Sequence, residues 1–173
     1  LLGGEPGSVV QAVESSDLAW TFLKPVEFMS GVLDWAPSIR AEGVVRDGFS
    51  SRRSAMIHEA DLGAVAASVL LEDGHAGKTY TLTGPQALTP RELVRTIGAA
   101  IGRDIRYIEL TEEQAREQWR AASLNKDTID FFVMVHGNTP PEGYTVIPTV
   151  EQVTGRPPRT FAQWAAEHAD AFR

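Results

Sequence analysis

Leu18-Ala19-Trp20-Thr21-Phe22-Leu23, stopped by Lys24-Pro25, is the stretch that decides the fold. A nearly continuous apolar run of this length, closed by a proline, reads as a strand buried on both faces of a parallel sheet, where helices cover each side and no polar face alternates. Immediately upstream, Ser8 to Ser16 reads as a short helix with Val9, Val10 and Val13 along one side. A helix leading into a buried strand is the second half of a βαβ unit. Such units build doubly wound sheets whose ligands bind at the carboxyl ends of the strands, which places the functional site at Pro25 to Met29.

Downstream the punctuation becomes regular. Trp35-Ala36-Pro37 predicts a loop and Gly43-Val44-Val45-Arg46 a short strand or hairpin arm. From Ile57 a helix is predicted, with Leu62, Val65, Ala66 and Val69 at spacings of three and four and Gly74 and Gly77 beyond its end. Lys78 to Thr83 alternates as a strand and closes on the turn pair Gly84-Pro85. Thr89-Pro90-Arg91-Glu92 is a capping box: the Thr hydroxyl takes an early helical amide, the Glu reaches back, and proline at the first helical position loses no bond. That helix carries Leu93, Ile97 and Ile101 and ends at Gly102, and Ile105 to Leu110 alternates as another strand. Further boxes at Thr111-Glu112-Glu113-Gln114 and Thr160-Phe161-Ala162-Gln163 open two more helices, and the apolar run Ile129 to Val135 predicts a third between them.

Composition narrows the class. The 173 residues suit one domain (1–173): a flexible terminus over 1–7, a sheet-and-helix part over 8–110 and a mainly helical part over 111–173. Sixteen Lys and Arg against 23 Asp and Glu leave a net charge of −7, so no positive field draws in nucleic acid or anionic lipid. Without cysteine there is no disulfide framework, thiolate nucleophile or zinc knuckle, which fits a cytoplasmic location. No apolar run is long enough to span a bilayer, so no membrane partner is expected.

The ordered series from Leu18 to Pro25, then Phe28-Met29, Ile57 with Asp61, Gly77 to Pro85, Leu88-Thr89 with Glu92, Gly102-Arg103 and the tail Val153 to Phe161 resembles the C-terminal half of NmrA-like proteins, which are atypical short-chain dehydrogenases/reductases. The resemblance implies an α/β fold, a partial Rossmann-like parallel sheet with helices, and the substrate-binding portion of an NmrA-like domain. It also implies an NADP- or NAD-dependent oxidoreductase acting on a small organic molecule. Carried over by position, Pro25, Val26 and Phe28 would bind the cofactor's nicotinamide end and Met29 would line the substrate pocket. This chain departs from the family at Lys24, Glu27 and Gly31, and no Gly-x-x-Gly-x-x-Gly turn follows a first strand. Gly3, Gly4 and Gly7 have neither that spacing nor a preceding strand.

Few other residues suggest chemistry. Glu27 is the candidate general base, because a strand-end carboxylate beside Phe22, Phe28 and Met29 could have a raised pKa. Trp119, Phe131 and Phe132, with Met134, form a pocket wall, a lid or plain core. His58, His75, His136 and His168 lack metal-ligand spacing, and the serine pairs lack a nucleophile elbow. Glu59 and Asp61 read as partners of a helix dipole. Two readings remain. In one, the chain is the nicotinamide and substrate side of an oxidoreductase whose N-terminal half lies elsewhere. In the other it is a cofactor-free small-molecule binder, isomerase, cyclase or scaffold that forms a homo-oligomer to cover its open sheet edge.

Overall fold

The computed structural model describes residues 9–173. The stretch 1–7, expected to be flexible, and its three glycines lie outside the described residues. In chain order come helix α1 (Val9–Glu14), strand β1 (Thr21–Pro25), a 3-10 helix (Met29–Trp35), α2 (Ala36–Glu42), β2 (Val44–Gly48), α3 (Glu59–Leu71) and β3 (Lys78–Leu82). Next are α4 (Pro90–Ile101), β4 (Arg106–Leu110), α5 (Glu112–Ala121), α6 (Lys126–Gly137), α7 (Pro141–Tyr144), α8 (Thr149–Thr154), α9 (Phe161–Glu167) and a 3-10 turn (Ala169–Ala171).

The strands pair in parallel. β1 runs beside β3, Thr21 opposite Lys78 through Pro25 opposite Leu82, and β2 runs beside β4, Val44 opposite Arg106 through Gly48 opposite Leu110. The result is two interleaved two-stranded sheets. The fold class is thus mixed α/β with parallel strands, but β1 differs from its expectation. It begins at Thr21, Leu18 is 69% exposed, and Thr21, Phe22 and Leu23 are only half-buried. Among the described residues β1 has one strand neighbour, β3, so its other edge is unpaired.

Local chemistry explains the helix boundaries. All three capping boxes form, at Thr89 with Glu92, Thr111 with Gln114 and Thr160 with Gln163. The loop predicted at Trp35-Ala36-Pro37 is instead the start of α2. Pro37 occupies its first turn, where a missing amide hydrogen leaves nothing unsatisfied, and Ala36 is buried. Gly43 ends α2 with φ +66, a left-handed value that a side chain would strain.

The main core packs Leu93, Val94 and Ile97 of α4 against Phe161, Trp164 and Phe172. A smaller cluster joins Ile57, Val65, Leu82 and Val150. Glu59 and Asp61 do more than face a helix dipole. Glu59 accepts from the Ser30 amide at 2.8 Å and the Trp164 indole at 3.1 Å, and Asp61, 3% exposed, takes the Arg159 amide at 2.6 Å and its guanidinium. Helix α3 is thereby tied to the C-terminal segment.

Between the sheets runs the extended strip Ser54–Ile57, with Ala55, Met56 and Ile57 all buried. Ile57 donates to the Glu27 carbonyl at 2.8 Å, and its own carbonyl accepts from Met29 at 3.1 Å. Ala55 donates to Gly143 at 2.9 Å and accepts from Gly84 at 2.9 Å, while Ser54 and Leu88 exchange bonds at 3.0 and 2.9 Å. Gly84 must be glycine for steric reasons: a Cβ there would lie 2.0 Å from the Met56 carbonyl oxygen. The Gly84→Ala variant should lose about 3 kcal/mol of stability, the upper end of what overpacking costs. Urea unfolding measures this, and an unchanged midpoint would contradict the packing described.

Candidate functional site

The bonds at Ile57 and Met29 carry the chain past the end of β1, so that Val26 and Glu27 face a cleft of about 550 Å³. Arg52, Arg53 and Ser54 form one side of it, and Phe131, Phe132, Val135 and His136 of α6 form the wall opposite. Thr139, Pro140 and Gly143 complete the lining, with the Gly143 carbonyl accepting from Ala55, the residue after Ser54, at 2.9 Å.

Helix α6 starts at Asn125, whose side chain accepts from the Thr128 amide at 2.9 Å. It is fastened to α5 by Arg116, which meets Glu112 at 2.8 Å and Asp130 at 2.7 Å, with Lys126 on Asp130 at 2.6 Å. Bonds from Arg116 and then Lys126 hold the Asp130 carboxyl down at about 2. These pairs are solvent-exposed, so they set the register of the two helices more than they add stability.

Behind the wall lies an aromatic cluster. Phe132 stacks on the His136 ring with centroids 5.6 Å apart, and Trp119 meets Phe132 edge-on at 5.4 Å and His136 at 5.8 Å. Phe49 stacks on Trp119 at 6.5 Å. Phe49 has φ +55, a left-handed conformation that costs a bulky residue roughly 1 to 3 kcal/mol. Ring packing against Trp119 and His136 opposes that cost.

A polar network sits against this cluster. Arg52 reaches Asp47 at 3.1 Å, Glu27 at 3.8 Å and Nε2 of His136 at 3.1 Å. A guanidinium only donates, so Nε2 accepts and the ring hydrogen resides on Nδ1. Burial, reinforced by the Arg52 charge, lowers the His136 pKa to about 3, and the ring is neutral. Burial also raises the Asp47 carboxyl, against the opposing pull of Arg52. The Nδ1 atom of His136 and Nε of Arg52 are buried without a protein partner among the described residues.

The residues proposed from sequence are placed unevenly. Val26, Glu27, Phe131 and Phe132 line the cleft. Pro25 ends the strand leading to it, and Phe28, 39% exposed, bridges to Ile57 beside it. Met29 does not line this cleft: it is 1% exposed within the main core. Trp119 supports the wall from behind rather than lining it. Asp47, Phe49, Arg52 and His136 were missed. A signal existed, since the rule that ligands gather at the carboxyl ends of strands applies to β2 as well as β1 and points at the residues after Gly48. Among the described residues no group of three or more His, Asp and Glu side chains is arranged to hold a metal, and no helix is long and apolar enough to cross a membrane.

No family model matches the chain. It is 39% identical over 162 residues to the (4-alkanoyl-5-oxo-2,5-dihydrofuran-3-yl)methyl phosphate reductase of Streptomyces griseus, spanning 94% of this chain and 57% of that protein. To the NAD(P)H azoreductase of Xenophilus azovorans it is 37% identical over 167 residues, spanning 96% and 58%. The fold superposes with a TM-score of 0.77 on the NADPH-dependent quinone oxidoreductase of Escherichia coli solved with NADPH, at 24% identity, covering 91% of this chain and 56% of that one. The fold is that of Rossmann-like reductases. The chain spans a little over half the length of each of these proteins.

The buried neutral histidine has a consequence for stability. Unfolded, His136 titrates near its ordinary 6.5, and folded near 3, so the unfolded state binds more protons anywhere between those values. This contribution to stability is present above pH 6.5 and is lost as pH falls toward 3. Asp47, shifted upward, acts in the opposite sense. Urea midpoints measured against pH should therefore fall less steeply on acidification in His136→Gln than in the parent; parallel curves would show that the ring is not held neutral.

Proposed function

We propose that this chain is the C-terminal half of an NmrA-like, NAD(P)H-dependent reductase and forms the substrate side of its active site. One observation carries the reading: Val26 and Glu27, at the end of a parallel strand, face the aromatic wall of α6 across a cleft of about 550 Å³. The similarity to reductases favours this over a cofactor-free binder or isomerase. In this reading residues 1–173 act as one unit in the cytoplasm.

The residues present fit one end of the cofactor. Val26 offers an apolar edge, Pro25 fixes the backbone behind it, and Phe28 is exposed alongside, a surface on which a nicotinamide ring packs. Among the described residues no glycine-rich turn opens a helix, so the pyrophosphate is assigned to none of them. NAD(P)H, when bound, supplies a hydride. Phe131, Phe132 and Val135 hold a flat, conjugated acceptor and keep water from the reacting face. A two-electron reduction by hydride also needs one proton, and Glu27, the carboxylate lining the cleft, is the group to relay it from water to the acceptor. The ion pair with Arg52 at 3.8 Å orients that carboxylate.

Two measurements test this. NADPH should bind weakly or not at all to the 173-residue chain and tightly to a longer product in which a half-sheet with a glycine-rich turn is joined ahead of it. Equal, tight binding by both would refute the division of labour. With NADPH and naphthoquinone, the longer product's Glu27→Gln variant should lose about a hundredfold in kcat, the lower end for a proton-transfer group, and one limb of its pH profile. An unchanged profile would remove Glu27 from the chemistry.

A further inference from the structure

The two arginines lining the cleft differ in how they are satisfied. Arg52 is 13% exposed and is engaged by Asp47 and Glu27. Arg53 donates one guanidinium nitrogen to the Ala87 carbonyl at 3.1 Å and has no carboxylate within 4.0 Å among the described residues. Glu92 lies close enough to feel its charge, but that carboxylate already accepts from the Thr89 amide at 2.8 Å and hydroxyl at 2.9 Å. Arg53 is therefore a cation with spare donors at the edge of the cleft, whose other charged lining residues, Glu27 and Arg52, are paired with each other.

Two hydroxyls accompany it. Ser54 is the next residue, and Thr139 lies in the segment that the Ala55–Gly143 bond of 2.9 Å holds against the Ser54–Ile57 strip. Neither hydroxyl has a hydrogen-bond partner among the described residues. A guanidinium matches two oxygens of a phosphate or carboxylate at once, and hydroxyls complete the shell of such a group. In a chain of net charge −7, this corner is a local reversal of the overall field.

We infer that Arg53, with Ser54 and Thr139, forms an oxyanion-binding corner, and that the substrate is amphipathic: an apolar body against Phe131, Phe132 and Val135, and a phosphate monoester or carboxylate at Arg53. The inference rests on the cleft being the substrate site. It makes Arg53 a specificity-determining residue.

Calorimetric titration of the full chain with naphthyl phosphate, naphthoate and naphthol tests it, since the three share one body and differ in charge. The anions should bind about tenfold or more tightly than naphthol, as charge-assisted bonds allow, and the advantage should shrink at high salt. Whichever anion binds more tightly identifies the group. Arg53→Gln should abolish the advantage while leaving naphthol binding in place, and Arg53→Lys should restore part of it. Naphthol binding as tightly as the anions, or an anion advantage that survives in Arg53→Gln, would overturn the corner and leave the cleft standing. Failure of all three to bind would overturn the cleft itself and the inference with it.

Discussion

Ile57 donates to Glu27 and accepts from Met29, while two residues earlier Ala55 is bonded to Gly84 and Gly143. These backbone bonds, made in the interior where an unpaired amide or carbonyl costs most, lock one short strip between three segments distant in sequence. That strip sets the direction of the chain after β1, the closeness of the turn at Gly84, and the seat of the segment that completes the cleft. Nothing in the residues of the strip is catalytic. Apart from Ser54, which lines the cleft, its contribution is positional, and it holds Glu27 and Met29 on one side and Gly143 on the other.

The cleft itself combines terms that oppose one another. Burying Asp47, Arg52 and His136 together costs solvation, and the structure answers by pairing the two charges and keeping the imidazole neutral. Phe49 adds backbone strain in the left-handed region, offset by its stacking with Trp119. Strained backbone at Phe49, the Arg52–Asp47 pair and polar atoms without protein partners all occur at this cleft or directly behind it. Elsewhere the structure has capped helices, aromatic packing around Trp164, a second left-handed residue at Ser123 and the pairing of buried Asp61 with Arg159. What distinguishes the cleft is that such features occur together there, where a ligand would be held.

Much of the architecture is legible along the chain. The capping boxes at Thr89, Thr111 and Thr160 are decided within four residues each, by a hydroxyl and a carbonyl or carboxylate side chain reaching nearby amides, and they form at the positions their residues mark. The placement of the site at the end of β1 comes from a general rule about parallel sheets. Burial is the property that pattern misjudges. An apolar run from Leu18 suggests a strand closed on both faces, yet apolarity states only a tendency, and whether it is met depends on which neighbours are present. Pro37 illustrates a second ambiguity: a proline suits a loop and a helix's first turn equally well, and only the packing of Ala36 and Ile39 into the core selects the helix.

Sequence alone therefore determined the class of structure, the starts of the three helices opened by capping boxes, the strand whose tip bears Val26 and Glu27, and the absence of cysteine chemistry, because each depends on residue type and short-range order. The partnership of Arg52 with Asp47, Glu27 and His136 was decided only by tertiary structure, as was the withdrawal of Met29 into the core and the freedom of Arg53. Those depend on groups brought together across as many as 109 residues between Glu27 and His136, a distance over which hydrophobic pattern and local propensity carry no information about which side chains will meet.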